Sequence, residues 1–224
     1  MAAPKHFSKT LDYRQAFGWQ IWRRLRSTAV QAEYRHYRRL QALGIPCPGD
    51  VTYRDHRNFI GLLNYATLSM ARLEQATDLR YIMCFNEYAE LRADRGFRRA
   101  LARELARWVR TMHEKDFFHG RLTFRNVLVR LDQPAQPQVH FIGLTDCRYR
   151  PPATEREARR LGDLAALWWD ARKWCTWQEI GLFLHEYTGH PRFTAADREL
   201  ARAVTARAKE EWRPPATDAQ PAAS

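Results

Sequence analysis

The run His119-Gly120-Arg121-Leu122-Thr123-Phe124-Arg125-Asn126-Val127-Leu128-Val129 gathers an imidazole, two guanidiniums and a carboxamide into a short polar stretch. Arg121, with a pKa above about 12, keeps its proton at any working pH and cannot act as a general base. Its planar fork instead suits a phosphate or carboxylate, which it can meet with two parallel hydrogen bonds. The competing reading is an internal salt bridge to Asp146 or Asp163. Two other groupings have reactive residue types at unhelpful spacing. In His185-Glu186-Tyr187-Thr188-Gly189-His190 the histidines fall off a common helical face and Gly189 should end the helix, which argues against a zinc-protease site. Trp168, Trp169, Trp174 and Trp177 accompany Arg172 and Lys173, a combination that could stack on nucleic-acid bases. Trp168 and Trp177 fall in apolar stripes, so core packing is expected for those two, while Trp169 and Trp174 stay open.

These residues need elements to hold them. Thr28 and Gln31 read as a capping box before a helix in which Tyr34, Tyr37, Leu40 and Leu43 recur at helical spacing, and Gly44 then Pro46 stop it. Residues 51–73 read as short strands: Val51 to Tyr53, Phe59 to Leu63 and Ala66 to Leu73, with a polar turn at Asp55-His56-Arg57-Asn58. A long helix is expected from Asp94 to Lys115, burying Phe97, Leu101, Leu105, Trp108 and Met112. A loop from Phe117 to Arg125 follows, then strands Val127–Leu131 and Val139–Leu144. Thr154/Glu157, Thr176/Glu179 and Thr194/Asp197 each mark a helix start. Leu161, Leu164, Leu167 and Trp168, then Trp177, Ile180 and Leu184, mark core faces. Gln20-Ile21-Trp22 reads equally as strand or helix, and the proline- and alanine-rich residues 213–224 as a disordered tail.

Composition sets the outer bounds. The 224 residues suit one domain with trimmings, and a 45% hydrophobic content can fill a core, which excludes a disordered chain. The net charge of +12 favours anionic partners: phosphorylated glycolipid, acidic membrane headgroups or nucleic acid. The alternative reading is an arginine-rich bias that simply solvates helices. Cys47, Cys84, Cys147 and Cys175 form no C-x-x-C pair, which excludes a zinc ribbon or redox motif. With no signal peptide, the reducing cytosol is the expected compartment. No apolar run approaches the ~18 residues of a membrane span, so a soluble chain, or one peripheral on the inner face of the cytoplasmic membrane, is expected.

In its setting after a long amphipathic helix and at the opening of a strand, His119–Val129 resembles the catalytic loop of the protein-kinase superfamily, H-[RG]-D-L-x-x-x-N-[IV]-L-[LV], in its sugar- and aminoglycoside-kinase form. Ala32-Glu33-Tyr34-Arg35 with Leu40-Gln41-Ala42-Leu43-Gly44-Ile45-Pro46-Cys47-Pro48 resembles the "REY…L..LGIP.P" segment of bacterial lipopolysaccharide kinases, which phosphorylate core heptose or Kdo. Ala71-Arg72-Leu73-Glu74 resembles the strand entering the inter-lobe hinge, and Asp163-Leu164-Ala165-Ala166-Leu167 is similar to the family's "DLA.L" helix. The resemblance spans about residues 9–170. It implies an α+β, protein-kinase-like two-lobe fold, with a reduced amino-terminal lobe over 1–75 and a mainly helical carboxyl-terminal lobe over 76–212. It also implies that Glu33 pairs with Lys9, or with Arg23 or Arg24, the alternative for Glu33 being a solvated helix charge. Asn126 would ligate Mg²⁺, Asp163 would brace the catalytic loop, and ATP and Mg would be the cofactors of an active enzyme.

The departures fall on the reactive groups. Arg121 stands where the family has its catalytic aspartate, and Gly143, in Phe141-Ile142-Gly143-Leu144, where it has its metal-binding aspartate. Asp146 could substitute only through a re-routed loop, and reads rather as a surface turn residue. Few residues precede Lys9, leaving no expected room for a phosphate-covering loop. His119, Arg121 and Asn126 thus read as a degenerate catalytic loop, and Lys9, Glu33 and Asp146 as a remnant nucleotide site. The expectation is a catalytically impaired, pseudokinase-like protein of envelope glycolipid metabolism with an anionic ligand such as phosphorylated lipopolysaccharide core. One alternative is an active ATP-dependent kinase of a lipopolysaccharide core sugar, with Asn126 and Asp146 on metal and Lys9 on phosphate. Another is a basic RNA- or membrane-surface-binding protein on the same scaffold.

Overall fold

The computed structural model describes residues 6–14, 28–190 and 192–211. Gln20-Ile21-Trp22, Arg23, Arg24 and the 213–224 tail lie outside the described residues. Strand β1 (His6–Asp12) is followed by helix α1 (Ala29–Ala42) and strands β2 (Thr52–Arg57) and β3 (Leu63–Ala71). Strand β3 pairs antiparallel with both neighbours, giving the sheet order β1-β3-β2. Along β3 the side chains alternate, with Ala66, Leu68 and Met70 buried and Tyr65 exposed. Helix α1 packs against this sheet and buries Val30, Tyr37 and Leu40. The helix starts where Thr28 Oγ1 accepts the Gln31 N–H at 2.9 Å, and the chain turns away at Gly44, whose φ of 69° a side chain would resist.

The turn expected over Asp55–Asn58 lies further on, and the residues expected as separate strands form one hairpin. Strand β2 continues to Arg57, and Asn58 Oδ1 then accepts the N–H groups of Ile60 (3.2 Å) and Leu62 (2.9 Å). A run such as Arg54-Asp55-His56-Arg57 serves a solvent-facing edge strand as readily as a turn. The side-chain cap of Asn58 and the left-handed Gly61 fix where the chain reverses.

Residues 72–75 lead into β4 (Ala76–Asp78), the short helices α2 (Leu79–Cys84) and α3 (Ala89–Ala93), and the long α4 (Arg95–Glu114). Then come β5 (Phe117–Phe118), β6 (Val127–Arg130), β7 (Gln138–Phe141), β8 (Arg148–Tyr149), α5 (Ala153–Trp174), α6 (Trp177–Thr188) and α7 (Ala195–Glu211). Strands β4, β6 and β7 form a second sheet, and β5 pairs with β8. That β5–β8 pair lies partly within the stretch expected as loop, and it ties the loop's entry to the chain that follows β7. Helix α4 buries Phe97, Leu101, Leu105, Val109 and Met112, whereas Trp108 is only partly covered and donates its Nε1–H to Glu104.

Two of the three later helix starts are as expected. Thr176 and Glu179 make a reciprocal capping box. Thr194 and Asp197 exchange bonds in the same way, with Asp197 N–H on Thr194 Oγ1 and Thr194 N–H on Asp197 Oδ2. Thr154 does not cap α5. The helix already begins at Ala153, behind Pro152, whose ring fixes an entry φ of −50°. Trp177 leaves its expected place in the core and is 77% exposed. As the first residue of α6 it points back past the helix start, where no preceding turn exists to cover it. Trp169 lies outside the stripe, with the Arg172 guanidinium 3.7 Å from its ring.

Candidate active site

The segment expected to carry chemistry is held from behind by one helix. Asp163 of α5 is fully buried and accepts the backbone N–H groups of His119 and Gly120, each at 2.7 Å. His113 of α4 approaches the same carboxylate at 3.3 Å through Nε2. With Nε2–H donating to that carboxylate, His113 Nδ1 accepts a hydrogen bond from the Tyr187 hydroxyl at 2.8 Å. Further along α5, Asp170 accepts the Phe124 N–H at 2.9 Å. Sequence reasoning missed Asp170. Its spacing from Asp163, two helical turns on the same face, is the signal that could have found it.

His119 is a strut. It is fully buried and its Nε2–H donates to the Ile142 carbonyl at 2.9 Å, joining the loop to the end of β7. Burial pushes its pKa down, so the ring stays neutral. Gly120 has φ 80°, and a Cβ there would lie 2.5 Å from the Asp146 carbonyl oxygen. Both the backbone conformation and the close approach of two chain segments therefore require glycine.

On the opposite side, α1 is stitched to residues 143–145 along one face. Glu33 accepts the Thr145 hydroxyl at 3.3 Å, His36 Nδ1 donates to the Leu144 carbonyl at 2.7 Å, and the Tyr37 hydroxyl accepts the Gly143 N–H at 3.2 Å. Glu33 also meets Lys9 Nζ of β1 at 3.0 Å, the pairing expected from the sequence. The Glu33 side chain is buried, whereas that of Lys9 is 39% exposed. Burial holds the His36 pKa down and raises that of Tyr37.

Between these two supports lie the exchanged groups. Asn126 donates its Nδ2–H to the Arg121 carbonyl at 2.7 Å. Gly143 is left-handed, with φ 71°, and a Cβ on it would stand 2.6 Å from Asn126 Oδ1. A side chain on residue 143 would thus collide with the Asn126 amide where it now lies, and this chain carries no carboxylate there. Asp146 faces elsewhere, meeting Arg121 at 3.6 Å with both side chains largely exposed. Arg121 does not reach Asp163, whose oxygens are taken by the backbone. The structure therefore brings together Lys9 with Glu33, Asn126 with Gly143, and Arg121 with Asp146. The decoy histidines diverge: Gly189 ends α6, and His190 turns to Asp197 at 2.8 Å.

The buried His119 and the half-buried His36 give a pH dependence. His36 and His119 both titrate below the ordinary value of 6.5. The unfolded chain therefore binds protons that the fold excludes, and stability present above that value is lost as pH falls below it. Thermal melts should show a lower Tm at pH 5 than at pH 7.5, and His119→Gln should flatten the drop. An equal drop in the variant would contradict the neutral, buried role of His119.

Comparison with known proteins follows the same lines. No curated protein matches the chain. A solved structure described as WaaP in complex with acyl carrier protein is similar at a TM-score of 0.65, with 19% sequence identity over 95% of this chain and 82% of that chain. That likeness establishes a kinase-like fold. The model of the lipopolysaccharide kinase (Kdo/WaaP) family matches residues 17–187, well over half of the sequence. The chain belongs to the lipopolysaccharide kinase (Kdo/WaaP) family.

Proposed function

We propose that this chain is a catalytically impaired, lipopolysaccharide-kinase-like protein of envelope glycolipid metabolism, with its lobes divided near residue 75 and an anionic ligand in the cleft between them. The observation that carries the reading is the contrast between an intact frame and exchanged reactive groups. Lys9–Glu33, Asn126 and the Asp163 brace are in place, while Arg121 and Gly143 stand at the two aspartate positions. Phosphoryl transfer relies on positioning and on charge neutralisation by metal and cationic groups. A guanidinium cannot take the acceptor proton. Magnesium is held through one or two carboxylates together with phosphates. Asn126 Oδ1 is one neutral donor, and the Asp146 carboxylate is turned to Arg121. This donor set does not fit a magnesium ion.

The alternative, an active ATP-dependent kinase of a core sugar, has the Lys9–Glu33 pair in its favour, since that lysine would be poised for a nucleotide phosphate. Calorimetry and thermal-shift titration separate the two. The parent chain should show no magnesium-dependent stabilisation by ATP, and a magnesium-dependent Kd in the micromolar range would overturn the proposal. The double variant Arg121→Asp/Gly143→Asp should show neither a magnesium-dependent rise in Tm nor ATPase activity, because a Cβ on residue 143 would stand 2.6 Å from Asn126 Oδ1 and displace the amide a metal would need. Recovered ATPase activity would show instead that the scaffold is intact.

Arg121 is 73% exposed, and its pair with Asp146 is an open one of the kind worth about 0–1 kcal/mol. Arg121→Ala should therefore leave Tm nearly unchanged while weakening binding of a phosphorylated core oligosaccharide about tenfold or more. A clear loss of Tm with unchanged binding would assign Arg121 to structure alone.

A second observation bears on a partner. An apolar cavity of about 280 Å³ lies among α4–α7, lined by Leu101, Leu105, Leu164, Leu167, Ile180 and Phe183. The similar WaaP structure contains an acyl carrier protein, and a cavity of this character suits an acyl chain. We propose that this chain also engages an acyl carrier protein through its acyl group. Acylated carrier should raise Tm, carrier without an acyl chain should not, and Leu164→Trp should abolish the difference.

A further inference from the structure

The β2–β3 hairpin ends in a turn whose backbone is closed on itself while its side chains are open. Phe59 is 98% exposed and Ile60 62%. Around them Asn58 Oδ1 accepts the N–H groups of Ile60 and Leu62, and Asn58 N–H donates to the Leu62 carbonyl at 2.9 Å. Gly61 N–H donates to the Asn58 carbonyl, and Arg57 Nη1 donates to the Gly61 carbonyl, each at 3.0 Å. Arg57 is itself steadied by Asp55 at 3.0 Å, which also cancels the hairpin's one carboxylate. Arg54 and His56 are exposed behind the tip, with His56 stacked on Tyr65 at a ring separation of 4.7 Å.

A large apolar pair at the end of a braced turn costs solubility, and nothing in the turn needs it: the geometry comes from Asn58 and Gly61. We infer that this tip is a wedge that enters the interface of an anionic lipid bilayer. Two features select that partner. A segment entering the acyl boundary leaves water behind, which favours backbone groups bonded within the turn, and the N–H groups of Asn58, Ile60, Gly61 and Leu62 are so bonded. The apolar pair is also backed by Arg54 and Arg57, against the single carboxylate of Asp55, on a chain of net charge +12, the arrangement of an interfacial anchor: apolar residues in the acyl boundary, cations at the headgroups. A second copy of the chain is a poor occupant. Phe59 and Ile60 together offer at most about 400 Å², whereas a stable protein interface takes about 800 Å² from each partner. The inference is independent of whether the cleft binds or phosphorylates anything.

Flotation with vesicles tests it. The parent chain should float with phosphatidylcholine vesicles containing phosphatidylglycerol, and far less with phosphatidylcholine alone. Phe59→Ser/Ile60→Ser should reduce binding to the anionic vesicles about tenfold or more at unchanged Tm, because neither side chain is packed. Arg54→Glu should weaken binding mainly at low salt. Trp177→Ser, at another exposed aromatic far along the sequence, should leave it unchanged. A parent chain that fails to float overturns the inference. So does a Phe59→Ser/Ile60→Ser variant that floats like the parent, or one whose only change is loss of a dimer in sedimentation.

Discussion

A carboxylate with no solvent exposure costs several kcal/mol unless its lone pairs are filled, and Asp163 fills them with the loop that matters most. The N–H groups of His119 and Gly120 point into α5, so the loop's backbone is oriented from inside the protein. His113 and Tyr187 extend the same network to α4 and α6, which makes loop position a property of the helical packing. Removing the carboxylate would strand donors in a dry interior at about 1–3 kcal/mol each. His119 and Gly120 depend on this arrangement in turn, since the strut to Ile142 and the close passage of Asp146 require the loop to be where Asp163 puts it.

The second support runs from α1 to residues 143–145 and closes the other side of the site. Glu33, His36 and Tyr37 all bind backbone or hydroxyl groups around Gly143 and none binds a side chain at position 143. The left-handed backbone at Gly143 is likewise compatible with glycine at no cost. The atoms that hold residues 143–145 are thus backbone and hydroxyl groups, and the support does not depend on a side chain at position 143.

The excess of positive charge divides into classes. Arg110–Glu114, Arg159–Glu155 and Arg160–Glu157 are turn-spaced pairs on helix faces, the solvated-helix use that an arginine-rich composition suggests. Arg39 and Arg172 lie over Tyr149 and Trp169, where a guanidinium packs flat against a ring. Arg121, meeting Asp146, and Arg54 and Arg57 of the β2–β3 hairpin belong to neither class.

Much of this was legible in the sequence because it is local. Capping residues, helical periodicity and the spacing of the 119–129 run fix elements and their order, since each depends on atoms a few residues apart. The Lys9–Glu33 pair was legible through the family pattern, which carries tertiary information that one chain's periodicity does not. What only the folded chain decided is which surfaces are covered and which distant groups meet. The hairpin's turn, the exposure of Trp177, the bond from Asp170 to Phe124, and the choice of Asp146 over Asp163 as the partner of Arg121 all depend on packing between elements far apart in sequence. The same residue types would serve other arrangements equally well, and burial, which sets the cost of every unpaired polar group, is defined only once the helices and sheets are assembled.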